Sequence, residues 1–463
     1  VNARTHDAAA NSGRPTPCVA TTAAGIWHGI DRAGVAVFRG ITYAWAGRFE
    51  PPSPAPAGDF DATEPGPIPP QRPSRLEPVQ GSPERLRQAE GPLVLSVFTP
   101  SAALAAEESG AGAPVLVFLH GGAYLSGSGE WDMYDGSRLA AEHGVTVVTV
   151  SSRLGAFGYP VLPGVSPGNL GLLDQIAALE WVRDNIAGFG GDPGRVTLAG
   201  QSAGGQAAVG MLGIARTRGL FRRVVVQSAN LGLEYHSASE SGRRGRRLLD
   251  RLGIDPISAS LEAVLDAQHE VALALAGPGA LNSAPPFLPV YGVDPLPGPQ
   301  LWQRELRSRA AQVDVLLGWT SEEVNAFWDP HPVIARIRRV PLLGPAVVSA
   351  GARALDRKVF IDPGWRLADE LDQFGARVYV YELGRLHEGA AFGACHTSDL
   401  PLLFGTDTAW ADSPMIRPLS PAAVAAAGTR VRADWAAFAA TGRVGSPDWN
   451  PHVRGSRRPF ALP

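Results

Sequence analysis

Cysteine is almost absent from this 463-residue chain: Cys18 and Cys395 stand far apart, with no CxxC or similar metal-ligand spacing. That excludes a disulfide scaffold and suits two unpaired thiols in a reducing compartment. Long apolar runs are missing too, and none reaches membrane-spanning length. The opening stretch Val1 to Pro17 is polar and lacks the apolar core of a secretory signal, so the chain reads as cytoplasmic, with no membrane partner. Charge is scarce and balanced, 18% of residues and a net of −3, which gives no case for nucleic acid and implies small, mostly neutral partners. The cluster Arg243-Arg244-Gly245-Arg246-Arg247 reads as a solvated helix face. There is no internal repeat, and no dinucleotide-binding or Walker motif in the right context.

What is present is ample core material, 45% hydrophobic, punctuated by 54 Gly and 41 Pro. Length alone suggests two or three domains, but α/β folds with insertions run this long around one sheet, so a single catalytic domain over 1–463 is expected. Val35 to Phe38 and Leu93 to Phe98 suggest early, antiparallel strands. Between them, Pro51 to Pro92 is a Pro- and Gly-rich loop expected to run over the surface and form at most a rim. Compact apolar runs follow at Val115–Leu119, Val145–Val150, Val196–Ala199, Arg223–Gln227, Val313–Leu317 and Arg377–Tyr381, as in buried parallel strands. Leu172, Ile176, Leu179, Val182 and Ile186 recur at helical spacing, which predicts an amphipathic helix after Asn169. Helical patterns at about 231–312 and 321–374 interrupt the alternation and are expected to cover the site.

The strand ending at Ala199 runs into Gly200-Gln201-Ser202-Ala203-Gly204, the pattern of a nucleophile elbow. The serine must sit on a strained strand-to-helix turn, where a Cβ on either flanking glycine would meet backbone. A second match, Gly164-Val165-Ser166-Pro167-Gly168, fails on chemistry. The residue after the serine must donate its N–H to an oxyanion, and Pro167 has none. His120-Gly121-Gly122-Ala123, after the strand Val115–Leu119, stands where such a fold places the rest of an oxyanion hole. A general base must lie downstream, and both His396 and His387 follow Arg377–Tyr381, His396 in the smaller-residue loop. For the orienting acid, Glu322 and Glu323 follow Val313–Leu317, and position does not separate them. Tyr124, Trp131, Trp319, Phe327, Trp328 and Phe392 lie near these motifs and are candidates to line a pocket, as is Gln201.

These residues resemble the type-B carboxylesterases, a family that includes para-nitrobenzyl-type esterases, carbamate hydrolases and cholinesterases. Phe189 to Gly204 matches the family's serine signature at every specified position, and Phe38 to Ala44, Gly168 to Gln175, Gly393 to Gly405 and Trp435 to Gly442 resemble further family segments. The resemblance covers most of the chain. It implies an α/β-hydrolase fold, a central, mostly parallel sheet flanked by helices with helical insertions over the active site. It further implies a catalytic Ser202, His396 and Glu323, oxyanion donors at the backbone N–H groups of Gly122, Ala123 and Ala203, and structural ion pairs Arg48 with Glu90 and Arg153 with Asp174. The segment from Glu90 to Ser96 lacks the family's usual cysteine, Val324 replaces a glycine, and Ser151-Ser152 replaces Asn-Tyr. Gln201 is neutral where cholinesterases carry an acid, which argues against a choline ester.

The expected activity is hydrolysis of small to medium carboxylic esters through an acyl-enzyme, with no metal or organic cofactor. Neighbouring readings are an amidase or carbamate hydrolase, and an acyl-transfer or cyclisation enzyme. A silent binding protein of the same fold is the reading from another class.

Overall fold

Six consecutive apolar runs alternate their side chains between two faces, and each face closes its own core. In Ala113–Leu119, Val115, Val117 and Leu119 enter one cluster while Leu116 and Phe118 enter the other. Arg223–Gln227 divides Val224 and Val226 from Val225 in the same way, and Arg377–Leu383 divides Val378 and Val380 from Tyr379 and Tyr381. A strand buried on both sides reads as a continuous apolar run, because its period of two has no solvent face to mark it. The architecture is given by a computed structural model that describes residues 15–106, 112–276, 285–341 and 343–462. Most of the opening stretch on which the leader expectation rests, and 277–284 of the first insertion, lie outside the described residues.

Eleven strands form the main path of the sheet: β1 (Thr16–Thr22), β2 (Gly25–Arg32), β3 (Val35–Trp45), β4 (Pro92–Pro100), β5 (Ala113–Leu119), β6 (Thr146–Val150), β7 (Gly191–Gln201), β8 (Arg223–Gln227), β9 (Asp314–Thr320), β10 (Arg377–Leu383) and β11 (Phe460–Leu462). Their spatial order is β1-β2-β3-β4-β6-β5-β7-β8-β9-β10-β11. Pairing is antiparallel from β1 to β4 and between β4 and β6, then parallel from β6 to β11. The sheet is therefore mixed, with its parallel part in the centre and C-terminal half. Every parallel strand delivers its C-terminal end to the same edge, which is where α/β sheets build their sites.

Helices α1 (Leu170–Asn185) and α2 (Ala203–Leu212) pack on the first face, and α7 (Thr429–Thr441) covers the second. Between β8 and β9 lie α3 (Ala238–Leu252) and α4 (Leu261–Ala276); between β9 and β10 lie α5 (Leu343–Asp356) and α6 (Asp362–Gln373). In α3, Arg243, Arg246 and Arg247 are exposed and Arg244 pairs with Glu240, a solvated face as expected. Helix α1 departs from the amphipathic expectation. It is buried almost all round, with Trp27 of β2 edge-on to its Trp181 at 6.3 Å. No helix among the described residues is long and apolar enough to cross a membrane.

Both ion pairs implied by the family resemblance form. Arg48 Nε donates to Glu90 Oε1 at 2.9 Å, and Arg153 Nε and Nη2 donate to Asp174 at 2.9 and 2.6 Å. Asp174 has no exposed surface and also accepts from the Arg153 backbone N–H at 3.0 Å. Removing one member of such a pair strands the other charge in the interior. Asp174→Asn is expected to cost about 3–5 kcal/mol of unfolding free energy, read by chemical denaturation. Asp184→Asn, which breaks the half-exposed pair with Arg183, should cost less than about 1 kcal/mol. Equal losses at the two positions would contradict this account.

Candidate active site

Ser202 occupies the turn between β7 and α2 at φ 56°, ψ −120°, a conformation that L-residues avoid. Two hydrogen bonds hold the turn: Ser202 N–H donates to Gln227 O at 2.8 Å, and Gln206 N–H donates to Ser202 O at 2.9 Å. The flanking glycines are required sterically. A Cβ on Gly204 would stand 2.0 Å from Leu119 O, and one on Gly200 would stand 2.4 Å from Gly204 C. Ser166, the rejected match, sits instead in a closed turn, its Oγ accepting from Gly168 N–H at 3.2 Å.

Beside the serine, the loop after β5 runs through three successive positive φ values, 108° at Gly122, 58° at Ala123 and 60° at Tyr124. Gly121 approaches closely enough that a Cβ there would lie 3.2 Å from Ser202 Cβ. Ala203 opens α2, so its N–H is among those that a helix leaves without an internal partner. Burial pushes the His120 imidazole down to about 4, and its Nδ1 lies 2.7 Å from Gly121 O.

His396 follows β10 and lies 2.5 Å, through Nδ1, from Glu323 Oε2. Both side chains are buried, and Glu323 Oε1 accepts from Thr320 N–H at 2.8 Å. Phe327 and Phe360 flank the imidazole, with ring centroids at 5.2 and 5.3 Å. Glu322 turns the other way, accepting from Arg385 Nε at 2.5 Å and from Ala394 N–H at 3.0 Å. His387 is exposed, and its Nδ1 accepts from Gly389 N–H. Behind His396, burial raises the Asp399 carboxyl to about 6 although Gln227 Nε2 donates to it at 2.6 Å. Val324 occupies the glycine position by packing with Phe360 and giving its N–H to Asp356 Oδ1 at 2.8 Å.

Two cavities open onto Ser202 and Ala123. One, of about 170 Å³, is walled by Leu233, Val324, Phe327, Leu355, Val359 and Phe360. The other, of about 300 Å³, adds Gly122 and the segment from Arg72 to Leu76, with Gln268 and His269 from α4. Both insertions thus reach the serine. The Pro-rich loop is more than a rim, because Gln71 anchors it: Oε1 accepts from Gly127 N–H at 2.7 Å and Nε2 donates to Gly127 O at 3.0 Å.

Of the pocket candidates, Phe327 lines both cavities. Gln201 lines neither but reaches the imidazole, its Nε2 lying 3.2 Å from His396 Nε2. Tyr124, Trp319 and Phe392 are outside both walls, which corrects that expectation. Tyr124 is buried with its hydroxyl on Gln206 Oε1 at 3.0 Å, Trp319 stacks edge-on against Trp365, and Phe392 packs into the second core. Trp131 and Trp328 likewise belong to core clusters. Arg75, Leu355 and Phe360 were missed because they lie in no motif.

A carboxylesterase family model matches residues 16–333. The chain belongs to the carboxylesterase family. It is 49% identical over 440 residues to a probable N-octanoylanthranilate hydrolase, AqdA2, of Rhodococcus erythropolis, a match covering 94% of this chain and 96% of that one. It is 29% identical over 464 residues to phenmedipham hydrolase of Pseudarthrobacter oxydans, covering 92% and 90%. Among solved structures, a thermophilic PNB esterase superposes with a TM-score of 0.81 at 29% identity, covering 96% of this chain and 95% of that one. This carboxylesterase has the α/β-hydrolase fold and is a carboxylic-ester hydrolase.

Cys395, next to His396 in sequence, is fully buried, and burial pushes its thiol up to about 12. The thiolate is the reactive form, so the native carboxylesterase at pH 8 should keep its activity in an alkylating reagent. Mass spectrometry should find Cys395 labelled only after unfolding. Rapid labelling of Cys395 in the folded enzyme would contradict this burial.

Proposed function

We propose that Ser202 is the nucleophile of this carboxylesterase, His396 its general base and Glu323 the acid that orients the base. The observation that carries the reading is the buried 2.5 Å contact between His396 Nδ1 and Glu323, at the same sheet edge as the strained turn at Ser202. With Nδ1–H donated to the carboxylate, Nε2 keeps the lone pair needed to accept the Ser202 proton. Ser202 Oγ attacks the acyl carbon, and the N–H groups of Gly122, Ala123 and Ala203 receive the negative charge that develops on the carbonyl oxygen. His396 then protonates the leaving alcohol, and water deprotonated by the same imidazole releases the acid from Ser202. One catalytic domain working in the cytoplasm carries the reaction in this reading, which two unpaired thiols suit.

The apolar cavity walled by Phe327, Leu355 and Phe360 suits an acyl chain of medium length, and the wider one suits the leaving group. A second reading, amide hydrolysis by the same residues, draws support from the relative whose name is that of an N-acyl hydrolase. Parallel assays of an octanoyl ester and the matching anilide separate the two.

Ser202→Ala should lower kcat by about 10⁴ to 10⁶ and leave the fold intact. Glu323→Gln should lower kcat by roughly 10² to 10⁴ with little change in KM, whereas Glu322→Gln, which weakens bonds to Arg385 and the Ala394 N–H but none to His396, should cost less than about tenfold. One chromogenic ester decides both, and a larger loss at Glu322 would overturn the assignment of the acid.

A further inference from the structure

We infer that α5 and the basic residues at its two ends form a docking face for an anionic lipid bilayer, which holds the second insertion, and the cavity it walls, against the membrane surface. The docking does not depend on the reading of Ser202.

The inward face of α5 is set by packing. A Cβ on Gly344 would stand 2.0 Å from Ile337 O, one on Gly351 would stand 3.0 Å from the Trp328 ring, and Val348 and Ala352 are buried. Leu355 continues that face and, with Val359 and Phe360 just beyond the helix, walls the narrower cavity. A surface helix normally turns polar side chains outward. Here the outward positions at i, i+4, i+7 and i+11 are Leu343, Val347, Ala350 and Ala354, all exposed. Leu343 and Val347 are 68% and 59% exposed, and Val340, just before the helix, is 50% exposed. Of the eleven large apolar side chains exposed among the described residues, three thus fall within eight consecutive positions.

Charge decides what covers this face. Between 330 and 361 lie six basic residues, Arg336, Arg338, Arg339, Arg353, Arg357 and Lys358, and one acid, Asp356, which is buried and accepts from Val324 N–H. Arg338 is offset by Asp329, and Arg357 by Asp362. Arg336, Arg339, Arg353 and Lys358 are exposed and belong to no ion pair among the described residues. The cations therefore stand at both ends of the apolar stripe. A second copy meeting this face about a two-fold axis would bring like charges together, since such a contact pairs a patch with itself. An aliphatic stripe bordered by Arg and Lys suits a bilayer: the apolar side chains enter the boundary of the acyl layer while the cations meet lipid phosphate. The expectation of no membrane partner rests on the lack of a spanning run and on a net charge averaged over the chain, and neither registers one exposed helix. Docking places Leu355, Val359 and Phe360 beside the layer where an ester with an aliphatic acyl chain concentrates. That consequence alone rests on the reading of the narrower cavity as the acyl site.

Cosedimentation with vesicles tests the face without turnover. The wild-type enzyme should partition at least about tenfold more strongly onto phosphatidylcholine vesicles containing about 30% phosphatidylglycerol than onto phosphatidylcholine alone, and less strongly as salt is added. Arg336→Ala combined with Arg339→Ala should weaken partitioning about 25-fold, about fivefold for each charge, and Val347→Asp about tenfold or more. All three positions are exposed and outside both cavities, so the variants should keep the wild-type kcat/KM on 4-nitrophenyl acetate without vesicles, which shows them folded. No partitioning of the wild type onto the anionic vesicles, or partitioning that these substitutions leave unchanged, would overturn the inference in favour of an acidic protein. A dimer in sedimentation velocity that Val347→Asp dissociates would assign the face to a second copy and overturn it too.

Lys358 is the only lysine of the chain, so its reductive methylation, followed by mass spectrometry, reports on this face directly. Saturating anionic vesicles should slow the modification several-fold, and an unchanged rate would refute the assignment of the face. An inactive wild-type enzyme would count against the catalytic reading alone, with circular dichroism then reporting whether each variant is folded.

Discussion

The turn at Ser202 governs the arrangement of everything around it. A serine at φ 56°, ψ −120° does not hold that conformation by itself; such strain persists only where neighbouring structure leaves no alternative. Here the neighbours are the two strands that flank β7. Strand β8 supplies Gln227 O to the Ser202 N–H, and β5 brings Leu119 O so near Gly204 that only a glycine fits. Placing β5 out of sequence order, between β6 and β7, is what lets the Gly121-Gly122-Ala123 loop lie against the serine. The crossover and the strained turn are thus one requirement met at two scales, sheet topology and backbone dihedral.

A second constraint holds the segments that no strand supports. Glu130 is fully buried and accepts from Gly40 N–H at 3.1 Å, Gly66 N–H at 2.9 Å and Ser96 Oγ at 2.8 Å, so one carboxylate ties β3, the Pro-rich loop and β4 together. Burial pushes this carboxyl up, while Arg39 and the three donors pull it down. Three donors and the nearby Arg39 make the buried carboxylate tolerable, and they also fix geometry. Through Gly66 and Gln71 the same loop is held at two points before it reaches Arg75. The segment with the least regular sequence is therefore anchored firmly enough to wall a cavity.

The strands and the strained turn at Ser202 were legible in the sequence because each rests on a local rule. Val115–Leu119 and Arg223–Gln227 announce themselves by continuous apolar runs, and the elbow by two glycines whose necessity is steric. Residue spacing left Glu322 and Glu323 equivalent, since adjacent positions in a loop differ only in what the fold brings opposite them: Arg385 for one, His396 for the other. The pocket aromatics other than Phe327 fell outside the cavities for a related reason. Tyr124 and Trp319 are near the motifs in sequence, but their side chains point into the core, where Gln206 and Trp365 meet them. Phe360 and Arg75, which do face the cavities, come from an insertion and a Pro-rich loop whose paths are set by tertiary contacts alone.

This division follows from what each part must do. In the mechanism proposed for Ser202, His396 and Glu323, groups that make and break bonds must hold their positions to fractions of an ångström, and these grow from the ends of β7, β9 and β10, which a shared hydrogen-bond ladder keeps in register. Groups that choose the substrate need only present surface of the right shape and charge, and loops and insertions supply it at little cost to the sheet. Phe327 belongs to both sets. It follows Glu323 by four residues in the loop after β9, packs on His396 with one face of its contacts, and carries the Arg75 guanidinium with another. The ring beside His396 thereby also walls both cavities, so the neighbour of the imidazole and the substrate-facing surface are one side chain.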